Sequence, residues 1–272
     1  MSIATIQHVW QANDYHNHSS AQYEAAMQLL KNEQVHFTGS ECIFDVGCGD
    51  GKITVQIAKC VEKGEVTGID LSTEMISYAQ KTYPKENYPN ITFSVQDGQF
   101  FESDKPLDVI FSSFALQWFK EPASFFERAA KSLKLQGSLI ATIPLNISVE
   151  LEEVIDTLIR ANMWKGYFQD FSPGWHFQTV KKYEELLLKY QFIPRHLSLV
   201  HQNIVFPSRT EFENYVIQWF TYLNILPTTL KSIFFKQVID GYLEKVALLD
   251  DGRVSFNFSR IDLIAKKINL LS

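Results

Sequence analysis

No stretch of this 272-residue chain is apolar for long enough to cross a bilayer as a helix, and Met1–Trp10 lacks the form of a secretory leader. Cysteine is scarce. Cys42, Cys48 and Cys60 are odd in number and fall in an expected strand, loop and helix, which reads as reduced thiols of a cytoplasmic protein and excludes a disulfide framework or a metal set. Basic residues are outnumbered, with 25 Lys and Arg against 31 Asp and Glu and a net charge of −6. No cluster of them reaches the density of a nucleic-acid footprint. The seven histidines show no metal-ligand spacing, and His16 and His18 read as part of a polar helix entry. What the chain does have is a hydrophobic share of 46%, enough for a sizeable core.

The most informative segment is Asp45-Val46-Gly47-Cys48-Gly49-Asp50-Gly51, directly after the apolar run Cys42-Ile43-Phe44. A strand ending in alternating glycines is a place where backbone lies against a small molecule, because Gly47, Gly49 and Gly51 carry no Cβ. An amphipathic helix expected over 52–61 points its N-terminus at the same spot. A dinucleotide fingerprint needs its third glycine three residues after the second. Here Gly51 comes two residues after Gly49, and Lys52 stands in the place of the dinucleotide glycine.

Further along, Val66-Thr67-Gly68-Ile69-Asp70 is a short apolar run ending in a carboxylate, placed where a second parallel strand ends after one crossover helix. Asp70 can there accept from both hydroxyls of a ribose. Ser72 suits the cap of the next helix better and leaves Asp70 free. Met75 follows on that helix, where core packing is its ordinary role. Phe93–Gln99 alternates and ends in Asp97-Gly98-Gln99, either a simple turn or a carboxylate set to accept from an adenine amino group. Leu107–Ser113 has the pattern of a buried strand.

Strand and helix signals alternate through the chain. Strands are expected near 42–46, 66–70, 91–96, 107–112 and 138–143, with helices near 52–61, 72–82 and 121–133 and a stop at Gln136-Gly137. Residues 1–40 look helical, ending at Thr38-Gly39-Ser40, and further helices are expected at 149–165 and 180–190. A sixth strand over 193–205 starts awkwardly at Pro194. Residues 207–250 read as two or three aromatic-rich helical segments, and a last strand covers 256–266. Right-handed crossovers bring the strand ends, and so the motifs, to one edge of the sheet.

The D-x-G-x-G-x-G loop with Asp70 resembles motif I and the ribose acid of class I S-adenosylmethionine-dependent methyltransferases. More narrowly, the chain is similar to the branch containing trans-aconitate, juvenile hormone acid and malonyl carrier-protein methyltransferases. That likeness runs through Tyr15 and Gln22, through Phe114-Ala115-Leu116-Gln117-Trp118, and weakly through Ser172-Pro173 with Trp175 and Phe177. It implies an α/β, Rossmann-like, doubly wound seven-stranded sheet with the last strand antiparallel. One domain over 1–272 would comprise an N-terminal helical cap (1–40), a core (41–206 and 251–272) and a helical lid insert (207–250) roofing the site. S-adenosylmethionine would be held by Tyr15, Asp45, Gly47, Gly49, Gly51, Asp70, Leu71, Met75, Asp97, Gly98, Gln99 and Ser113. No metal is implied.

The branch esterifies carboxylates, and a carboxylate is already ionised at neutral pH, so no strong base is needed. Neutral donors suit the task. Gln22 and the Trp118 indole are the candidate catalytic pair, each able to donate to the acceptor without protonating it. His176 and Arg209 are weaker candidates for a second acidic group, and Arg209 sits equally well in a helix start capped by Ser208. The expected acceptor is a small-molecule or acyl-carrier-linked carboxylate, with no nucleic-acid or membrane partner. Two rivals stand beside it. A methyltransferase acting on a phenol, amine or carbon would want a histidine near the transferred methyl, and a non-catalytic module would keep the pocket without turnover. Ser112-Ser113-Phe114-Ala115 lacks the Asn/Asp-Pro-Pro-aromatic tetrad of nucleic-acid enzymes.

Overall fold

A computed structural model describes residues 10–269 apart from 247 and 250; residues 1–9 of the expected N-terminal cap and leader reading lie outside the described residues. Strands β1 (Cys42–Val46), β2 (Glu65–Asp70), β3 (Ile91–Val95) and β4 (Leu107–Ser113) pair in parallel, as does β5 (Leu133–Pro144) on β4. Two long strands, β6 (Phe192–Phe206) and β7 (Val254–Lys267), add antiparallel pairings, giving the order β3-β2-β1-β4-β5-β7-β6. This is the expected seven-stranded sheet with its last strand antiparallel. The order reverses between β1 and β4, the switch point at which ligands bind beyond the carboxyl ends of the strands.

Helices α1 (Ala12–His18), α2 (Ser20–Leu30), α3 (Lys52–Cys60), α4 (Thr73–Thr82) and α5 (Pro122–Ser132) are followed by α6 (Val149–Arg160), α7 (Val180–Lys189), α8 (Arg209–Ile217) and α9 (Thr228–Val246). The sheet is covered on both faces. Ile43, Val55, Ile57, Val66 and Ile76 form one core, and Ile110, Phe125, Phe126, Leu139 and Leu263 form the other. A third core, rich in rings, ties α6, α8 and α9 to β7 through Phe212, Phe234, Tyr242 and Phe256. Rings of this size dominate burial energetics and set the shape of that end of the molecule.

Several expectations are corrected. The N-terminal helices stop at Leu30; residues 31–40 are turns and extended chain, held where Glu41 accepts from the Thr38 and Gly39 N–H groups. Gln136-Gly137 is a bulge inside β5 and not a stop before it. Gln136 has φ +65°, and the register shifts between Leu107–Leu133 and Val109–Ser138. Pro194 is tolerated because β6 is the sheet edge, with a register shift between Pro194 and His196. Within residues 207–250, α9 packs on α6, while Thr221 borders the larger cavity together with Trp10, Tyr15, Pro173 and Gly174. Among the described residues no helix is long and apolar enough to cross a membrane.

Candidate active site

The loop after β1 is built on left-handed backbone. Gly47, Gly49 and Gly51 have φ of +76°, +54° and +80°. A Cβ on Gly47 would lie 2.3 Å from the Ala115 Cβ. The Gly47 and Cys48 N–H groups both donate to the Ile69 carbonyl (2.8 and 2.9 Å), which docks the loop on the end of β2. Asp70 completes the tie: its Oδ2 accepts from the Gly49 N–H (3.0 Å) and its Oδ1 from the Ser72 N–H (2.8 Å). Ser72 is the cap of α4, its hydroxyl accepting from the Met75 N–H (3.2 Å).

These strand ends border a cavity of about 440 Å³, within the range of small-molecule sites. Its floor is Gly47, Gly49 and Asp70. Leu71, Met75, Asp97, Gly98 and Gln99 form one side, and Ser113, Phe114, Ala115, Trp118 and Phe119 the other. Asp97 also makes a turn, its Oδ1 accepting from the Gln99 N–H (2.8 Å), and Gln99 accepts from the Glu121 N–H (3.0 Å). Ser113 shares a hydrogen bond with the Thr142 hydroxyl (2.7 Å). The roof is Trp10 and Tyr15 with Pro173, Gly174 and Thr221. Helix α1 is fastened over the loop by His16, whose Nδ1 lies 2.6 Å from Asp50 Oδ2, and by the Lys52 ammonium, which donates to the His16 carbonyl.

Two expected cofactor contacts do not border the cavity. Asp45 is buried beneath the loop, accepting from the Thr54 hydroxyl (2.6 Å). Gly51 begins α3, where a Cβ would meet the Phe93 ring at 2.7 Å. Both hold the loop from behind.

A second, smaller pocket of about 60 Å³ adjoins the first and shares Trp10, Tyr15, Phe114 and Trp118 with it. Trp175, Phe177, Tyr215, Trp219, Phe256 and Phe258 line its wall. Gln22, Gln117 and Asn146 are its amides; the Asn146 Oδ1 is taken by the Ser259 N–H (2.7 Å). Sequence reasoning had singled out Gln22 and Trp118 as catalytic, and both border this pocket. It had not singled out Asn146 or Phe258, which come from distant segments, nor Phe114. The left-handed φ of Phe114 (+52°) at the tip of β4 is invisible to a pattern of apolar residues.

His176 and Arg209 border neither cavity. Arg209 pairs with Glu213 and Asp240 (both 2.6 Å) behind the Ser208 cap, which accepts from the Glu211 N–H. His176 donates its backbone N–H to the Gln117 carbonyl (2.7 Å), and burial, aided by Lys120, pushes its imidazole pKa down. His16 belongs to the latch, and the His18 ring meets the Asp14 carbonyl (2.8 Å). Among the described residues, no group of His, Cys, Asp and Glu could hold a metal ion.

The electrostatics of the loop favour a cationic guest. Burial pushes the Asp45 carboxyl up to about 7 against the Thr54 hydrogen bond, with Asp70 and Asp50 adding to the rise. Burial also raises Asp70, opposed by N–H donors from Ser72, Gly49 and Leu71. Carboxylates that strain against one another are relieved by a positive charge. A ligand with a sulfonium, an ammonium and a ribose diol meets that charge, the Cβ-free floor and the free lone pairs of Asp70. The residues present therefore fit S-adenosylmethionine.

A seven-stranded doubly wound sheet with a glycine loop and an acid at the second strand end defines a Rossmann-like methyltransferase fold. Residues 43–137 match the family described as "Methyltransferase domain", and the chain carries a methyltransferase domain whose site fits S-adenosylmethionine. It is 25% identical to a putative methyltransferase, 235L, of Invertebrate iridescent virus 6 over 98% of this chain and 97% of that one. It is also 25% identical to the malonyl-[acyl-carrier protein] O-methyltransferase of Priestia megaterium over 85% of each chain. The solved YcgJ protein of Bacillus subtilis shares the fold, with a TM-score of 0.63 at 14% identity, covering 93% of this chain and 100% of that one.

Proposed function

We propose that the chain methylates a carboxylate oxygen of an apolar acid, free or carried as an acyl thioester, seated in the small aromatic pocket. The observation that carries this reading is the lining of that pocket: rings, amides, Pro144 and Ile147, with no lysine, arginine, histidine, aspartate or glutamate among the described residues. Its two tyrosines offer no base, because burial pushes both the Tyr15 and Tyr215 hydroxyls well above their ordinary pKa. A phenol or amine acceptor must lose a proton to such a base. A carboxylate arrives already ionised. No histidine among the described residues borders either cavity, which weighs against the rival acceptors.

In this reading Asp70 accepts from the ribose hydroxyls and Asp97 from the adenine amino group. Leu71, Met75, Gly98 and Gln99 flank the ring, while Tyr15, Gly47, Gly49 and Ser113 surround the methionyl end. When bound, the cofactor would supply a methyl group on a sulfonium, with a neutral thioether as the good leaving group. The protein's part is placement and dryness. A Gln22 amide N–H and the Trp118 indole N–H donate to the acceptor carboxylate, fixing one oxygen toward the larger cavity. Trp10, Trp118 and Trp175 form an edge-to-face row (5.5 and 6.3 Å between centroids) that keeps water off the reacting atoms. The O-methyltransferase relative named for malonyl carrier protein supports a carboxyl acceptor; the absence of a cationic side chain in the pocket favours a monoacid over a small polyacid.

The test is a panel of acids run with labelled cofactor: long-chain acids, dicarboxylic acyl thioesters and aconitate. Volatile methanol released by mild base marks ester formation. Apolar monoacids are expected to lead, and label that stays base-stable throughout would reject a carboxylate acceptor.

A further inference from the structure

Unmade hydrogen bonds are concentrated in one place. Among the described residues, few buried side-chain N or O atoms lack a partner, and Gln22 Oε1 and Gln117 Oε1 belong to residues of the small pocket. These residues are 7% and 6% exposed. A buried polar atom without a partner is costly, and in native proteins such an atom calls for an explanation, a bound group among them.

The two glutamines differ in freedom. A half turn of the Gln22 amide puts its NH₂ where its oxygen stands. Gln117 has no such option, because its Nε2 donates to the Phe114 carbonyl at 2.7 Å. Turning it would press oxygen against oxygen. Its backbone is held as well, its carbonyl taken by the His176 N–H. Gln117 Oε1 is therefore an obligate acceptor, buried on a residue that lines an apolar pocket. A carboxylate has no proton to give it. An ammonium donor would enter a pocket with no carboxylate among the described residues to balance its charge, so the missing partner is a neutral O–H or N–H.

We propose that the acceptor acid carries a neutral hydrogen-bond donor, a hydroxyl or an amide N–H, which Gln117 Oε1 reads, making Gln117 a specificity-determining residue of this site. The inference rests on the carboxylate reading for the other end of the molecule. Sites that hydrogen-bond a substrate hydroxyl reject the analogue lacking it far more sharply than apolar pockets separate homologues.

The experiment compares octanoic acid with its 2-, 3- and 8-hydroxy derivatives and with 6-acetamidohexanoic acid, on wild-type protein and Gln117→Met. Esters are scored by base-labile methanol. At least one donor-bearing acid should exceed octanoic acid in kcat/KM by roughly 10- to 100-fold. A hydroxy acid in the lead marks the hydroxyl and the acetamido acid marks the amide. Gln117→Met should shrink that ratio to within about threefold, whatever it does to absolute rates. The proposal is overturned if no donor-bearing acid outruns octanoic acid on the wild type, a comparison that needs no variant to fold, or if the preference survives in Gln117→Met. If no acid yields an ester, the carboxylate reading fails separately. The donor inference is then judged by calorimetric affinities of the same acids for protein loaded with S-adenosylhomocysteine: a donor preference lost in Gln117→Met upholds it, and equal affinities sink it.

Discussion

The two cavities meet at four residues yet are built on opposite principles. The larger is laid out by backbone: glycines and turn N–H groups, with the Asp70 and Asp97 side chains, at the ends of successive strands β1, β2 and β3. The smaller is made of side chains from positions as far apart as Gln22, Asn146, Trp219 and Phe258, none of which is informative on its own. The first can serve any chemistry that uses one cofactor, whereas the second selects a substrate. A backbone-built site should fail abruptly when a Cβ intrudes, while a side-chain-built site should fail by degrees.

The largest effect is expected at Gly47. Its Ala variant places a Cβ 2.3 Å from Ala115 Cβ on left-handed backbone, so affinity for S-adenosylhomocysteine should fall by about 100-fold or more in calorimetry. Asp70→Ala should weaken the same affinity by roughly 10- to 100-fold, the worth of hydrogen bonds to a charged group. Trp118→Phe should lower kcat by about tenfold, on the scale of one neutral donor, while S-adenosylhomocysteine affinity stays within about threefold. Equal losses in both would place Trp118 with the backbone-built site and blur the contrast.

Two smaller effects sharpen it. Asp45, lifted to about 7 by burial, keeps a proton in the folded state that the unfolded chain releases near its ordinary value of 3.8. Its contribution to stability is therefore greatest at low pH and declines as pH rises from about 4 to about 7, by at most about 1.4 kcal/mol per pH unit. Tm measured from pH 5 to 8 should show a drop that Asp45→Asn flattens. Finally, His16→Ala loosens α1 from Asp50 and should speed release of S-adenosylhomocysteine a few-fold in stopped-flow, the scale of one part-exposed pair.

The sequence made the larger cavity readable because its determinants are local. A strand, a glycine turn and a helix lie within residues 42–60, and Asp70 and Asp97 close the next two strands. Locality also has a limit. The motif groups Asp45 and Gly51 with the ligand contacts, but which of two neighbouring loop residues faces the cavity depends on Thr54 and Phe93 packing behind the loop. The same blindness made Gln136-Gly137 look like a terminator, since only its neighbour β4 reveals it as a bulge. Gln22 and Trp118 came from resemblance, not from pattern. Gln117 beside Trp118 was visible as a residue, yet nothing in a sequence says that its amide is locked by the carbonyl of a strained phenylalanine. The aromatic excess of 207–250 was plain, but its rings mostly fill the α6–α9 core, and Thr221 is its one representative at the larger cavity among the described residues.

Trp10, Tyr15, Phe114 and Trp118 form a party wall between the two chambers. An occupant that shifts any of these rings on one side reshapes the other side, so the two ligands are thermodynamically linked and each must alter the other's affinity by the same factor. An isotherm for the acceptor recorded on empty protein thus describes a different partition from the one the enzyme works with.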